Sequence, residues 1–244
     1  LKHIQRVDNI TDIQGIFNGT TNYILSGIFE NNCSFEDALH QAQQSGYAEQ
    51  DPTDDIDGYD VRYKIALSYL TAFSSVIDVH SIPVYGIRNL KESEIHYAKD
   101  NGYVIKLIGK AEKGRVIVLP VFTKNTTILS SVSSNYNYVQ CTSQYLGTSS
   151  YIGQGAGSLP TAHSVVQDLM DIETKAYPAI ENYSLQKLNT DFSGKYYIRT
   201  SDISAFEAIP HTQIAPDILI TDTICYTVVE AVRDKINFLA EVEQ

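Results

Sequence analysis

Residues 47–64 read YAEQDPTDDIDGYDVRYK, and this stretch sets the frame for the rest of the chain. It places six carboxylates, Glu49, Asp51, Asp54, Asp55, Asp57 and Asp60, among the turn residues Pro52 and Gly58. It then runs into apolar residues spaced as a helix over about 59–73. Just upstream, Ser34 with Asp37 three residues later resembles a capping box with Asp in place of Glu. That box opens a helix whose Phe35, Ala38, Leu39 and Ala42 recur at helical spacing and which Gly46 closes. Further back, residues 12–17 read as a short apolar strand. It turns at Asn18-Gly19-Thr20-Thr21 into helical spacing through Ile24, Leu25 and Ile28, with Thr20 or Thr21 as the cap.

Working downstream, the pattern predicts a strand over 84–87, a short helix over 93–100, and a hairpin of 103–110 with 115–123 around Lys113-Gly114. Strands at 137–142 and 148–152 follow. A glycine loop, Gly153-Gln154-Gly155-Ala156-Gly157-Ser158, feeds a helix over about 160–172. Residues 177–193 are polar and aperiodic and read as a linker. Strands at 195–200 and 217–221 and an amphipathic helix over about 226–239 make a small second unit. The mixture of strands and helices points to an α+β fold.

The 244 residues carry 18 Lys and Arg against 29 Asp and Glu, a net charge of −11, which leaves no basic face for nucleic acid. A hydrophobic content of 43% supports a real core. The longest apolar runs, such as 116–122, fall far short of the roughly 20 residues of a membrane helix. Cys33, Cys141 and Cys225 are widely separated, which argues against a zinc site or a disulfide framework and fits a reducing cytosol. The chain begins at Leu1 without a targeting pattern, and it reads as a piece of a longer protein.

Chemistry concentrates in the acidic stretch. Asp60 and Lys64 stand one turn apart on a helix, and Lys64 sits among Val61, Ile65, Ala66 and Leu67. A lysine in apolar company can serve as a proton-transfer group, oriented by its acceptor; alternatively, the two make an ordinary surface ion pair. The crowded carboxylates repel one another and call for something positively charged, or else they form a solvated turn. A calcium loop fails on spacing, because the register ending at Asp57-Gly58 starts on Thr53 and puts Lys64 at position twelve. The glycine loop can nest an anion ahead of a helix, or it is a tight strand-to-helix turn. Ser158 at the third glycine position departs from the dinucleotide fingerprint. The histidines His3, His40, His80, His96, His163 and His211 show no metal spacing.

Four segments, GIFNGTTNYIL at 15–25, FEDALHQAQQSGYAEQDPTDDIDGYDVRYK at 35–64, GYVIKLIGKA at 102–111 and GQGAGSLPTAHSVVQDL at 153–169, resemble the catalytic domain of homoserine dehydrogenase of the monofunctional bacterial type. The resemblance implies an NAD(P)-dependent oxidoreductase interconverting homoserine and aspartate semialdehyde, in the cytoplasm, as a homodimer, with an α+β catalytic domain whose mixed sheet is covered by helices on one face and has its other face open for pairing in the dimer. It implies Lys64 as the acid/base group, Asp60 orienting it and Asp55 near the reacting end. Glu49 would hold the substrate amino group, with Tyr47, Gly19 and Thr20 lining the pocket. Gly153, Gly155, Ala156 and Gly157 would close against the nucleotide, which is bound mainly by a preceding domain that this sequence does not include.

The expected organisation is a catalytic domain over 1–176, a linker over 177–194 and a tail over 195–244. In the tail, GKYYIRTSDIS and PDILITDTICYTVVEAVRDKINFL resemble the outer strand and last helix of an ACT domain, an amino-acid-sensing module. Residues 201–216 are too short for the rest of such a module and lack its Asp-x-x-Gly ligand turn, so a structural tail is expected. The competing reading is a non-catalytic amino-acid-binding regulatory protein on the same fold. Retention of Lys64, Asp60, Asp55 and Glu49 together favours the enzyme.

Overall fold

The computed structural model describes residues 1–5, 7–176 and 183–243. Alternating apolar residues form a sheet of nine strands among the described residues, here numbered in chain order. They are β1 (Ile10–Ile16), β2 (Tyr103–Glu112), β3 (Arg115–Lys124), β4 (Tyr136–Ser143), β5 (Gly147–Gln154), β6 (Tyr196–Thr200), β7 (His211–Ala215), β8 (Ile218–Thr221) and β9 (Ile236–Val242). The spatial order is β7-β8-β6-β9-β3-β2-β1-β4-β5. Neighbours run antiparallel except β9 and β3, which pair in parallel through Glu241 with Val121 and Val242 with Phe122, so the sheet is mixed. The hairpin β2–β3 turns at Gly114, whose φ of +81° suits glycine.

One face of the sheet is covered by α1 (Gly19–Asn31), α2 (Phe35–Gln44), α4 (Tyr59–Phe73) and α5 (Glu92–Asp100), with the single turn α3 (Thr53–Ile56) ahead of α4. Their apolar stripes, including Ile24, Leu25, Ile28, Ile65 and Tyr69, pack on Ile105, Leu107, Val118 and Phe122. The strand period of two sends Ile108, Ile117, Leu119, Ile198 and Leu239 to the opposite face. That face was expected to stay open, yet much of it is covered from within the chain by Phe206, Ile209 and, from α7 (Tyr226–Glu230), Tyr226 and Val229.

Several local expectations change. The α1 cap is Asn18 rather than Thr20 or Thr21: Asn18 is extended at φ −126° and its Oδ1 accepts from Thr21 N at 2.8 Å. Residues 84–87 make only a bridge, Val84 to Val118. The helix expected over 226–239 is broken into α7, a 3-10 turn at Arg233–Lys235 and strand β9. Phe238, Ala240 and Val242 face one side of the sheet and Leu239 the other, so a strand buries this apolar set on two faces, which one helical stripe does not. Part of the expected linker, 177–182, lies outside the described residues. Ser184–Gln186 beyond it pairs in parallel with Ser75–Ile77.

The tail is anchored by charge as well as pairing. Arg199 on β6 donates from Nε to Glu94 Oε1 of α5 at 2.9 Å, and Tyr197 donates its hydroxyl to the same oxygen at 3.0 Å. Glu94 is fully buried and Arg199 nearly so. Lys91 N also donates to Glu94 at 2.8 Å, so the carboxylate's acceptor sites are well used.

Candidate active site

β1 ends at Ile16, directly beside Tyr138 of β4, and this register brings Asn18 and Gly19 against the chain leading into β4. A Cβ on Gly19 would lie 2.7 Å from the Asn135 carbonyl oxygen, so the close approach requires glycine. Asn18 then does two jobs with one amide. Its oxygen caps α1, and its Nδ2 donates to Asp55 Oδ1 at 2.5 Å and to Asp60 Oδ2 at 2.8 Å. Asp60 Oδ2 also receives Lys64 Nζ at 2.7 Å across one turn of α4. A chain of contacts therefore runs from Asp55 through Asn18 and Asp60 to Lys64.

These groups line a cleft of about 500 Å³ together with Thr20, Tyr47, Glu49, Asp51, Asp54, Asn135, Asn137, Gly155, Ala156 and Gly157. Thr20 donates its hydroxyl to the Tyr47 carbonyl at 2.7 Å, and the Tyr23 and Tyr47 rings lie 4.7 Å apart, which fixes the wall bearing Tyr47. Burial pushes the Asp55 carboxyl above the ordinary carboxylate range; the Asn18 bond pulls it down and the Asp60 charge adds to the rise. Hydrogen bonds from Thr53 hold the Asp51 carboxyl below its usual value.

The carboxylate crowd is partly neutralised from within. Asp57 turns away to Arg88, whose Nε and one terminal nitrogen lie 2.6 and 2.9 Å from its two oxygens, and Asp60 takes Lys64. Glu49, Asp51, Asp54 and Asp55 have no ion-pair partner among the described residues and line the cleft, a surplus of negative charge suited to an ammonium group. The premise of an apolar setting for Lys64 is corrected: Val61, Ile65 and Ala66 point into the core, while the Lys64 side chain is 46% exposed on the cleft side.

Of the glycine-loop residues, Gly155, Ala156 and Gly157 line the cleft, whereas Gly153 sits in exposed β5 outside the lining. Asn137 Oδ1 is buried without a hydrogen-bond partner and stands beside Gly155, where a Cβ would collide with the Asn137 amide. Sequence reasoning missed Asn135 and Asn137; it read Asn18-Gly19-Thr20 as a turn and cap first and a backbone approach site for a ligand second, and missed the bridge made by the Asn18 side chain. The signal for Asn18 was present, since Asn heads the list of helix caps and stands directly before Gly19-Thr20-Thr21.

Fold and cleft together define an α+β domain whose carboxylate-rich cleft, beside an ordered lysine–carboxylate pair, has the charge to suit a small cationic group. A family-wide profile described as homoserine dehydrogenase matches residues 1–170. The homoserine dehydrogenase of Bacillus subtilis is 36% identical over 194 residues, 78% of this chain and 43% of that protein. The NAD(+)-dependent homoserine dehydrogenase of Pseudomonas canavaninivorans is 35% identical over 173 residues, 69% of this chain and 49% of its own length. Among solved structures, a homoserine dehydrogenase from Thiobacillus denitrificans superposes with a TM-score of 0.81 at 28% identity, over 100% of this chain and 66% of that one. The chain belongs to the homoserine dehydrogenase family. It spans less than half the length of these two relatives.

Proposed function

We propose that this chain supplies the substrate-binding part of a homoserine dehydrogenase, interconverting L-homoserine and L-aspartate 4-semialdehyde on the route to threonine, methionine and isoleucine, in the cytoplasm and as a homodimer. The observation that carries the reading is Asp60 Oδ2 held between Lys64 Nζ and Asn18 Nδ2 in a cleft rich in carboxylates. The surplus charge at Glu49 and its neighbours suits the ammonium of an amino-acid substrate. In the direction of aldehyde reduction, Lys64 donates a proton to the carbonyl oxygen as it becomes the hydroxyl, and Asp60 keeps the amine in position. Asp55, carrying a raised pKa, hydrogen-bonds near the same oxygen. Tyr47, Gly19 and Thr20 shape the wall.

A nicotinamide cofactor fits the far side of the cleft. The orphaned Asn137 oxygen would take a donor from it, and Gly155, Ala156 and Gly157, with Gly153 before them, would offer a surface with little side chain. When bound, that cofactor gives or takes the hydride. We assign most of its binding to a separate part of the full-length protein. The helix α6 (Ser158–Glu173) after the loop supports this, since Leu159, Val165, Leu169 and Ile172 are all exposed. Residues 1–176 form the catalytic portion on this reading, and 195–244 a structural tail.

The test is nicotinamide reduction by homoserine in the full-length protein beside Lys64→Ala. Turnover should fall by about 100-fold or more while homoserine affinity changes little, as loss of a general acid/base demands. A variant that keeps the parent's turnover within a few-fold overturns the role of Lys64. A parent that binds homoserine and reduces neither cofactor overturns the activity.

A further inference from the structure

A second cleft, of about 440 Å³, opens between the start of α4, the segment 79–89 and the tail around β9, and shares no lining residue with the first. Three of the chain's six arginines, Arg62, Arg88 and Arg233, line it with His80, and among the described residues the only acidic one in the lining is Asp57. In a chain of net charge −11 this concentration of guanidinium groups has to be explained.

Arg88 is spoken for, since Asp57 takes it bidentately and Thr53 Oγ1 lies 3.0 Å from it. Arg62 and Arg233 are different. Neither has a carboxylate within 4 Å among the described residues. Both are held by neutral partners instead. Arg62 lies 4.8 Å from the Tyr59 ring centroid and 5.1 Å from that of Tyr63, with its Nε buried and lacking a hydrogen-bond partner. Arg233 lies 4.7 Å over the Tyr85 ring and donates to the Val84 carbonyl at 2.9 Å. Stacking on rings and bonding to backbone fix the guanidinium planes without cancelling their charge. The cleft is of small-ligand size and walled by Ile82, Val84 and Phe238.

We propose that this cleft is a receptor for a small, doubly charged oxyanion, a phosphate group or two carboxylates on one molecule. Two fixed guanidinium groups with no carboxylate in ion-pair contact among the described residues match two negative charges, and their planar donor sets suit both carboxylate and phosphate oxygens. The inference does not depend on the reaction assigned to the other cleft.

Isothermal titration calorimetry on the full-length protein tests it, with inorganic phosphate, succinate and acetate as probes at constant ionic strength. Phosphate or succinate should bind saturably at one site per chain, and acetate at least tenfold more weakly. Whichever dianion binds identifies the source, and saturable binding by either supports the proposal. Arg233→Gln and Arg62→Gln should each weaken binding tenfold or more, Arg233→Lys less, and Lys64→Gln in the other cleft not at all. Thermal unfolding of each variant confirms that it is folded. Absence of saturable heat with both dianions overturns the proposal, as does binding that survives both arginine replacements or that Lys64→Gln removes.

Discussion

Replacing Asn18 by Ala should destabilise the protein by about 3–4 kcal/mol at neutral pH. The helix cap on Thr21 N contributes about 1 kcal/mol. The two bonds from Nδ2 end on carboxylates, where each is worth about 1.5–3 kcal/mol. The Asp60 side chain is 28% exposed, so water replaces part of what is lost and the lower end applies. The loss should also depend on pH. Without Asn18, Asp55 and Asp60 face each other with no shared donor, and Asp55 already titrates above its ordinary range because of burial and this neighbour. Once Asp55 is protonated it can itself donate to Asp60, so the destabilisation should shrink on going from pH 7 to pH 4.

Urea unfolding at both pH values, with slopes compared to establish that the same surface is exposed, gives the two differences directly. Asn18→Asp is the companion: it keeps an acceptor for Thr21 N but removes the donor and adds a third carboxylate. It should be at least as destabilised as the Ala variant at pH 7 and recover more at pH 4. A loss of about 1 kcal/mol or less for Asn18→Ala, equal at both pH values, would mean that only the cap contributes, and the bridging role of Asn18 would fall.

Three further outcomes follow from buried charge. Lys106 on β2 is buried with its amine on Asn22 Oδ1 and the Val132 carbonyl, and burial lowers its pKa from 10.5 to about 8. Below pH 8 both states are protonated; between about 8 and 10.5 the unfolded chain holds more protons, so stability should rise with pH there by up to about 3 kcal/mol, measured against Lys106→Met in denaturant titrations. A flat difference between the two proteins across that range refutes it. Glu94→Gln leaves Arg199 buried without its counter-charge and should cost about 3–5 kcal/mol, whereas the double replacement Glu94→Leu with Arg199→Met should cost less than the single one by calorimetry. Asp55→Asn keeps an acceptor for Asn18 while removing a raised-pKa carboxylate. It should be at least as stable as the parent at pH 7, lose the fall in stability that Asp55 imposes as pH rises above 3.8, and turn homoserine over more slowly in the nicotinamide assay.

Much of the fold was legible because local signals are strong where the chain is amphipathic. The helix expected over 59–73 matches α4, and the hairpin at Gly114 matches β2–β3 within a residue or two. The tail was misread for a physical reason. Its apolar residues from 236 to 242 are buried on both faces of the sheet, and a two-sided burial pattern has no period that separates a strand from a helix segment. In the site, Glu49, Tyr47, Asp55, Asp60, Lys64, Gly19 and Thr20 do line one cleft. The contribution of Asn135 and Asn137 was invisible, because it depends on the β1–β4 register, which no local pattern encodes.

That register also explains why three distant segments make one site. Pairing Ile16 with Tyr138 puts the end of β1 beside the start of β4, and β5 returns antiparallel along β4 with Tyr136 opposite Gln154. The turn at Asn18, the asparagines at 135 and 137 and the loop at 155–157 therefore gather at one edge of the sheet. The acidic stretch joins them from the helical layer, tied by the amide nitrogen of Asn18 to Asp55 and Asp60 and by the Thr20 hydroxyl to the Tyr47 carbonyl. A slip of one residue between β1 and β4 would invert the faces of β1, burying Asp12 and Gln14 in place of Ile13 and moving Gly19 off Asn135. The geometry of the cleft is thus specified by the same alternation that builds the core, so the site holds its shape for as long as the sheet does.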